Sequence, residues 1–81
     1  MSQLQSVMAL CDGIRRTHIW FKILEGDNSG IKISIARYDS DYSESFQNQI
    51  ESLEEGEVYL LDLEYYGSSE WELLDFKRRY Q

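Results

Sequence analysis

Proline is absent from the 81 residues, so no strand carries the usual edge blocker. Cys11 is the single cysteine; an internal disulfide and a cysteine-based metal site are both excluded, which fits a reducing compartment. The single histidine, His18, has no evident partners for a nucleophilic triad. No run approaches the roughly 20 apolar residues of a membrane span, and no basic stretch followed by an apolar one marks a secretion leader. The expected setting is therefore the cytoplasm, or the nucleus in a eukaryotic source, with no membrane. Bases are scarce: 8 Lys and Arg stand against 15 Asp and Glu, a net charge of −7 that argues against general duplex binding. Internal repeats, linkers and low-complexity segments are lacking too, so residues 1–81 are expected to form one domain.

What is present is strongly patterned. Apolar residues make up 42% of the chain and alternate in long stretches, which points to a globular domain and not a disordered one. The charge is uneven. Residues 1–38 hold three acids and five bases, a net of +2, whereas residues 39–81 hold twelve acids and three bases, a net of −9. Screening limits the reach of distant charge to about 8 Å at physiological salt, so a local basic strip can attract a phosphate chain despite the average.

The strip lies in HIWFKILEGDNSGIKISIARY, residues 18–38, where two alternating runs flank a Gly-Asp-Asn-Ser-Gly turn, a hairpin signal. Ile19, Phe21, Ile23, Ile31, Ile33 and Ile35 form a core face. The opposite face carries His18, Trp20, Lys22, Lys32, Ser34 and Ala36, with Tyr38 at its end and no carboxylate. An aromatic surface beside cations suits a single-stranded nucleic acid.

Around this hairpin, residues 3–11 read as a strand, with a short helix as the rival because Leu4, Val7, Met8 and Cys11 also fit a helical stripe. Asp12-Gly13 reads as a turn. In YSESFQNQIESLEEG the period becomes helical through Phe46, Ile50 and Leu53; Ser43 is the expected N-cap and Gly56 the stop. Residues 57–66 and 70–80 return to strand character around a Gly67-Ser68-Ser69 turn. The expected fold is mainly β: a small five-stranded barrel with one helix between strands three and four, closed because closure removes exposed edges.

This order resembles the OB-fold, the oligonucleotide/oligosaccharide-binding barrel. The hairpin around EGDNSG, the helix ending in SLEEGE and the following VYLLDLEYYGSSEWELLDF carry the resemblance over nearly the whole chain. It implies a ligand surface on the outer face of strands two and three, the same face the alternation selects, bordered by the loops at Asp12–Arg16 and Tyr66–Ser69. Trp20 and Tyr38 would stack bases, Lys22, Lys32 and Arg37 would hold phosphates, and His18 and Ser34 would add hydrogen bonds. With strand five beside strand one, Arg15, Arg16, Lys77, Arg78 and Arg79 would extend the groove; ordinary solvated charge is the competing reading.

Other constellations point elsewhere or nowhere. Glu44, Glu51, Glu54, Glu55 and Glu57 read as a solvated helix face or, more sharply, as a nucleic-acid mimic docking on a basic protein. Tyr59, Leu61, Leu63 and Tyr65 alternate with Val58, Leu60, Asp62 and Glu64; both sets are partly apolar, so one faces the core and the other suits a protein partner or a homodimer. Asp39, Asp41 and Glu44 lack the glycine and spacing of a calcium loop, and the hairpin glycines lack the lysine and following helix of a phosphate loop. No cofactor, metal or catalytic group is expected. The functional expectation is a non-catalytic module binding single-stranded DNA or RNA. The alternative is an acidic protein-interaction subunit, or a mimic inhibitor, within a nucleic-acid-processing assembly.

Overall fold

The structure, a computed structural model, describes residues 3–65 and 71–78. Its elements run β1 (Gln3–Ile14), β2 (His18–Ile23), β3 (Lys32–Ala36), α1 (Glu44–Glu51), β4 (Val58–Tyr65) and β5 (Trp71–Arg78). The fold is mainly β, with the helix between the third and fourth strands as the period change implies. Residues 3–11 are strand, not helix. Neighbouring strands are antiparallel in the order β3-β2-β1-β4-β5.

The curl of this sheet begins with β1, 12 residues long. Its N-terminal part, Gln3–Leu10, pairs with β4, while Ala9–Ile14 pairs with β2. One strand thus serves two offset partners. Bulges at Cys11/Gly13 and at Asp62/Leu63 tighten the local twist. The edge strands β3 and β5 swing toward each other without pairing, so the small five-stranded barrel expected takes the form of a curled half-barrel. The open edge on β3 is only five residues long and starts with a lysine, two features that discourage edge-to-edge pairing.

Alternation fills the interior. β2 follows a strict exposed–buried pattern that sends Ile19, Phe21 and Ile23 inward, and Val7, Ala9, Cys11, Ile33, Tyr59, Leu61, Leu63 and Phe76 meet them. Ile50 and Leu53 add the helix end of the core. Edge-to-face rings link the elements: Phe21 to Tyr59 at 6.4 Å, Tyr59 to Phe76 at 6.0 Å and Phe46 to Phe76 at 6.0 Å between centroids. Among the described residues no polar or charged side chain is buried. The Tyr59 hydroxyl accepts the Glu54 N–H at 3.0 Å, so the one phenol of that ring chain is satisfied.

Three local expectations fail for tertiary reasons. Asp12-Gly13 is not a turn; β1 continues through it as a bulge, and the chain reverses at residues 15–17. Ser43 does cap α1, its hydroxyl accepting the Phe46 N–H at 3.0 Å, but the helix stops at Glu51 and Gly56 lies in the turn before β4. There Gly56 has φ +87° and donates its N–H to the Cys11 carbonyl, while Cys11 donates to the Glu57 carbonyl, both at 2.9 Å. Ile31, placed on the core face by alternation, is 46% exposed because it still belongs to the turn. The Gly67–Ser69 turn lies outside the described residues.

Candidate functional site

The outer face of β2–β3 is built by register. His18 pairs with Ala36, Trp20 with Ser34 and Lys22 with Lys32. His18, Trp20, Lys22, Lys32 and Ser34 are all exposed, Trp20 at 40%. On its other side Trp20 pairs with Gly13 of the β1 bulge. The directly paired residues on either side of the indole are therefore a glycine and a serine, and Trp20 stays 40% exposed.

Cations gather around that indole. Lys22 and Lys32 stand directly opposite each other, a like-charge pairing that costs roughly 0.2–1 kcal/mol. Among the described residues Lys22 makes no ion pair, whereas the Lys32 ammonium lies 3.0 Å from the Asp12 carboxylate. Asp12 is the extra residue of the bulge, and it corrects the expectation of a face without a carboxylate: β2 and β3 supply none, but β1 lends one. The Arg15 guanidinium lies over Gly13, close enough that a Cβ there would meet it at 3.3 Å, and an ion pair of 3.8 Å joins it to Glu55. Glu55 also accepts the Ile14 N–H at 2.6 Å, which ties that carboxylate to the end of β1.

The far end of the face is a separate platform. The Arg37 guanidinium donates to the Arg15 carbonyl at 3.1 Å and stands over the Tyr38 ring at 5.4 Å. Tyr38 is 57% exposed and follows the end of β3. It lies four residues beyond Ser34, the partner of Trp20, or at most about 13 Å of extended chain. Tyr38 thus offers a second exposed aromatic surface, four residues along the chain from the partner of Trp20. Beside them Thr17 Oγ1 and His18 Nδ1 are 2.9 Å apart, which fixes the imidazole plane.

A cavity of about 420 Å³ opens where β3 approaches the start of β5. Trp20, Lys32 and Ser34 line one side of it and Tyr65 and Trp71 the other, with Asn28 and Ile31 at the turn. The Tyr65 and Trp71 rings meet at 4.6 Å between centroids, tilted by 40°. The volume falls within the range of small-ligand pockets, roughly 300–1,000 Å³. Alternation leaves Tyr65 on a strand side that is either core or partner-facing and assigns Trp71 no site role, so both are missed as groove residues. No local signal marks them: β3 and β5 are the two ends of the strand order, and only the curl of the sheet brings them near each other.

That same order corrects the groove extension. β5 lies beside β4, not β1, because β1 already spends both edges on β2 and β4. Lys77 is exposed opposite Leu60, with β1 and β4 between its strand and β2 in the sheet, and Arg78 pairs in register with Tyr59. Arg79 lies outside the described residues. Arg15 does reach the Trp20 site, and Arg16 is exposed in the adjoining turn.

Two groups titrate away from their ordinary range. Burial, then the Glu55 carboxylate, pushes the Cys11 thiol from 9.0 up to about 11, so it remains protonated and a poor nucleophile at neutral pH. Burial, then Asp39, raises the Tyr42 phenol, whose hydroxyl donates to the Ala36 carbonyl at 2.8 Å. Among the described residues no cluster of three His, Cys, Asp or Glu side chains is arranged to hold a metal ion, and no helix is long and apolar enough to cross a membrane. Compared with known protein families, curated proteins and solved structures, the chain matches none.

Proposed function

We propose that this chain is a non-catalytic binding module of the OB type that takes single-stranded DNA or RNA on the outer face of β2–β3. The observation that carries this reading is the Trp20 indole, 40% exposed between Gly13 and Ser34, with Lys22 and Lys32 one pair away. A base stacked on such a ring contributes about 1–3 kcal/mol, and each lysine meets one phosphate. A neighbouring base enters the cavity against Tyr65 and Trp71, and Tyr38 under Arg37 receives the strand at its other end.

The test is a tryptophan fluorescence titration with an oligothymidylate at two salt concentrations. Saturable quenching that weakens with salt supports the site, and Trp20→Ala should weaken binding by about 1–3 kcal/mol. Trp20→Phe leaves Trp71 as the sole reporter of the cavity side. No quenching up to about 100 µM, the weak end of non-specific affinities, overturns the proposal.

A second reading, an acidic protein-interaction subunit, draws on the outer side of β1 and β4. There Leu10 pairs with Val58 and Met8 with Leu60, all four half-buried. Size-exclusion chromatography separates the two: concentration-dependent dimers, or co-elution with a basic protein and never with oligonucleotide, favour this reading.

A further inference from the structure

We infer that Asp12 sets the strength and salt dependence of anion binding on the β2–β3 face, by holding Lys32 until a phosphate displaces it; this rests on the nucleic-acid reading of that face. The chain of observations starts in β1. Cys11 pairs with Phe21 and Gly13 with Trp20, so two steps on β1 match one on β2 and Asp12 is the residue in excess. A bulge re-aims a side chain. Here it puts a carboxylate on the aromatic face, where the Lys32 side chain reaches from β3, beyond β2, to within 3.0 Å of it. Lys32 also lines the cavity that Trp20 and Trp71 share. Among the described residues Asp12 has no other ion pair or hydrogen bond. Glu55, the other acid near the site, differs in holding the Ile14 amide as well as Arg15.

Both partners of the Asp12–Lys32 pair are solvent-accessible, with side-chain exposures of 35% and 57%. Such a pair is weak enough for a ligand to break. A phosphate at Lys32 must replace a carboxylate already there, so the site as built releases one counterion fewer than its lysines would suggest. Removing the carboxylate makes Lys32 a full phosphate contact. Each such contact on a single strand steepens the dependence of log K on log salt by about 0.7.

The experiment titrates an oligothymidylate into wild type, Asp12→Asn, Lys32→Gln, the double variant and Asp41→Asn, each at several salt concentrations. Asp41 is an exposed acid in the turn before α1 and serves as a control for net charge alone. Asp12→Asn is expected to tighten binding about two- to fivefold at low salt, the span of an exposed ion pair, and to steepen the salt slope by about 0.7. Asp41→Asn should leave the slope unchanged, and Asp12→Asn should have no effect once Lys32 is Gln. If wild type binds but Asp12→Asn matches it in affinity and slope, the role of Asp12 is overturned and the site stands. Equal gains in Asp12→Asn and Asp41→Asn overturn it as well, as a general charge effect. Absence of binding in wild type and in Asp12→Asn overturns the nucleic-acid reading and this inference together. Thermal melts by circular dichroism confirm that each variant is folded.

Discussion

In the β2–β3 hairpin Lys22 stands opposite Lys32; in the β4–β5 hairpin Asp62 faces Asp75 and Glu64 faces Glu72. Both hairpins send the same kind of residue inward, Ile19, Phe21 and Ile23 from one and Tyr59, Leu61, Leu63 and Phe76 from the other. Both also accept like charges side by side, which costs stability. The acids are provided for within the molecule: Ser6 donates to Asp62 at 2.6 Å, and Asp75 accepts the Phe76 N–H at 2.8 Å. The lysines are provided for only in part, by Asp12 at Lys32. The inner faces are therefore interchangeable in kind, while the outer faces differ in whether their charge has been answered. An unanswered cation next to an open indole is where an outside anion gains most.

The equivalence of the inner faces is the first point to attack, since its effect is largest. Phe21→Ala and Leu61→Ala empty fully buried positions on the two hairpins. Phe21→Ala should cost about 3–5 kcal/mol and Leu61→Ala about 2–5 kcal/mol in urea denaturation followed by circular dichroism, against a total stability of about 5–15 kcal/mol for a domain. A mild Phe21→Ala would mean that β2–β3 is only loosely attached to the core, and the comparison would fail. Cys11, on the strand that joins the hairpins, gives the next effect. Below pH 9.0 its thiol is protonated in both folded and unfolded chains and the stability is intact. Between pH 9.0 and about 11 the unfolded chain ionises first, so stability falls with rising pH by roughly 2–3 kcal/mol in total. Urea midpoints at pH 8 and at pH 10.5 should separate more in wild type than in Cys11→Ala.

How much of this was visible in one dimension depends on how local each determinant is. The β2–β3 faces were readable because period-two alternation is a property of the strand itself, and β2 obeys it from His18 to Ile23. The start of α1 was readable because Ser43 bonds an amide three residues on. Its end was not, because Gly56 is claimed by the Cys11 carbonyl, a partner 45 residues away. Asp12-Gly13 carries a turn signature, and only the register against Phe21 and Trp20 makes it a bulge. The same dependence hid half of the candidate site. Nothing near Trp71 or Asp12 in sequence marks them as neighbours of Trp20; the curl of the sheet places the first and a bulge the second.

Helix α1 lies between the hairpins in the chain and packs Phe46 on Phe76 of β5. Ser43→Ala removes the hydroxyl that accepts the Phe46 N–H and should lower stability by about 1 kcal/mol. Oligonucleotide affinity should be unchanged, since the cap touches neither Trp20 nor the lysines. A matching loss of affinity would mean that the face depends on the helix, and the two regions would no longer be separable.

The finest test reverses one charge in each hairpin. Lys22→Glu turns a Lys–Lys pair into Glu–Lys, and Asp75→Lys turns an Asp–Asp pair into Asp–Lys. By cross-strand pairing alone each should stabilise the fold by roughly 0.2–1 kcal/mol, read from thermal melts at low salt and diminished at high salt. Their effects on oligonucleotide binding should diverge. Lys22→Glu places a second carboxylate beside Trp20, removes one phosphate contact, and should weaken binding and flatten the salt slope by at least about 0.7, while Asp75→Lys, with β1 and β4 between its strand and β2, should leave binding intact or slightly raise it. A Lys22→Glu variant that is more stable and binds as tightly as wild type would break the link between unanswered charge and function on this face. A variant more stable and weaker in binding would show that Lys22 is retained at a cost to the fold, for the sake of an anion that comes from outside.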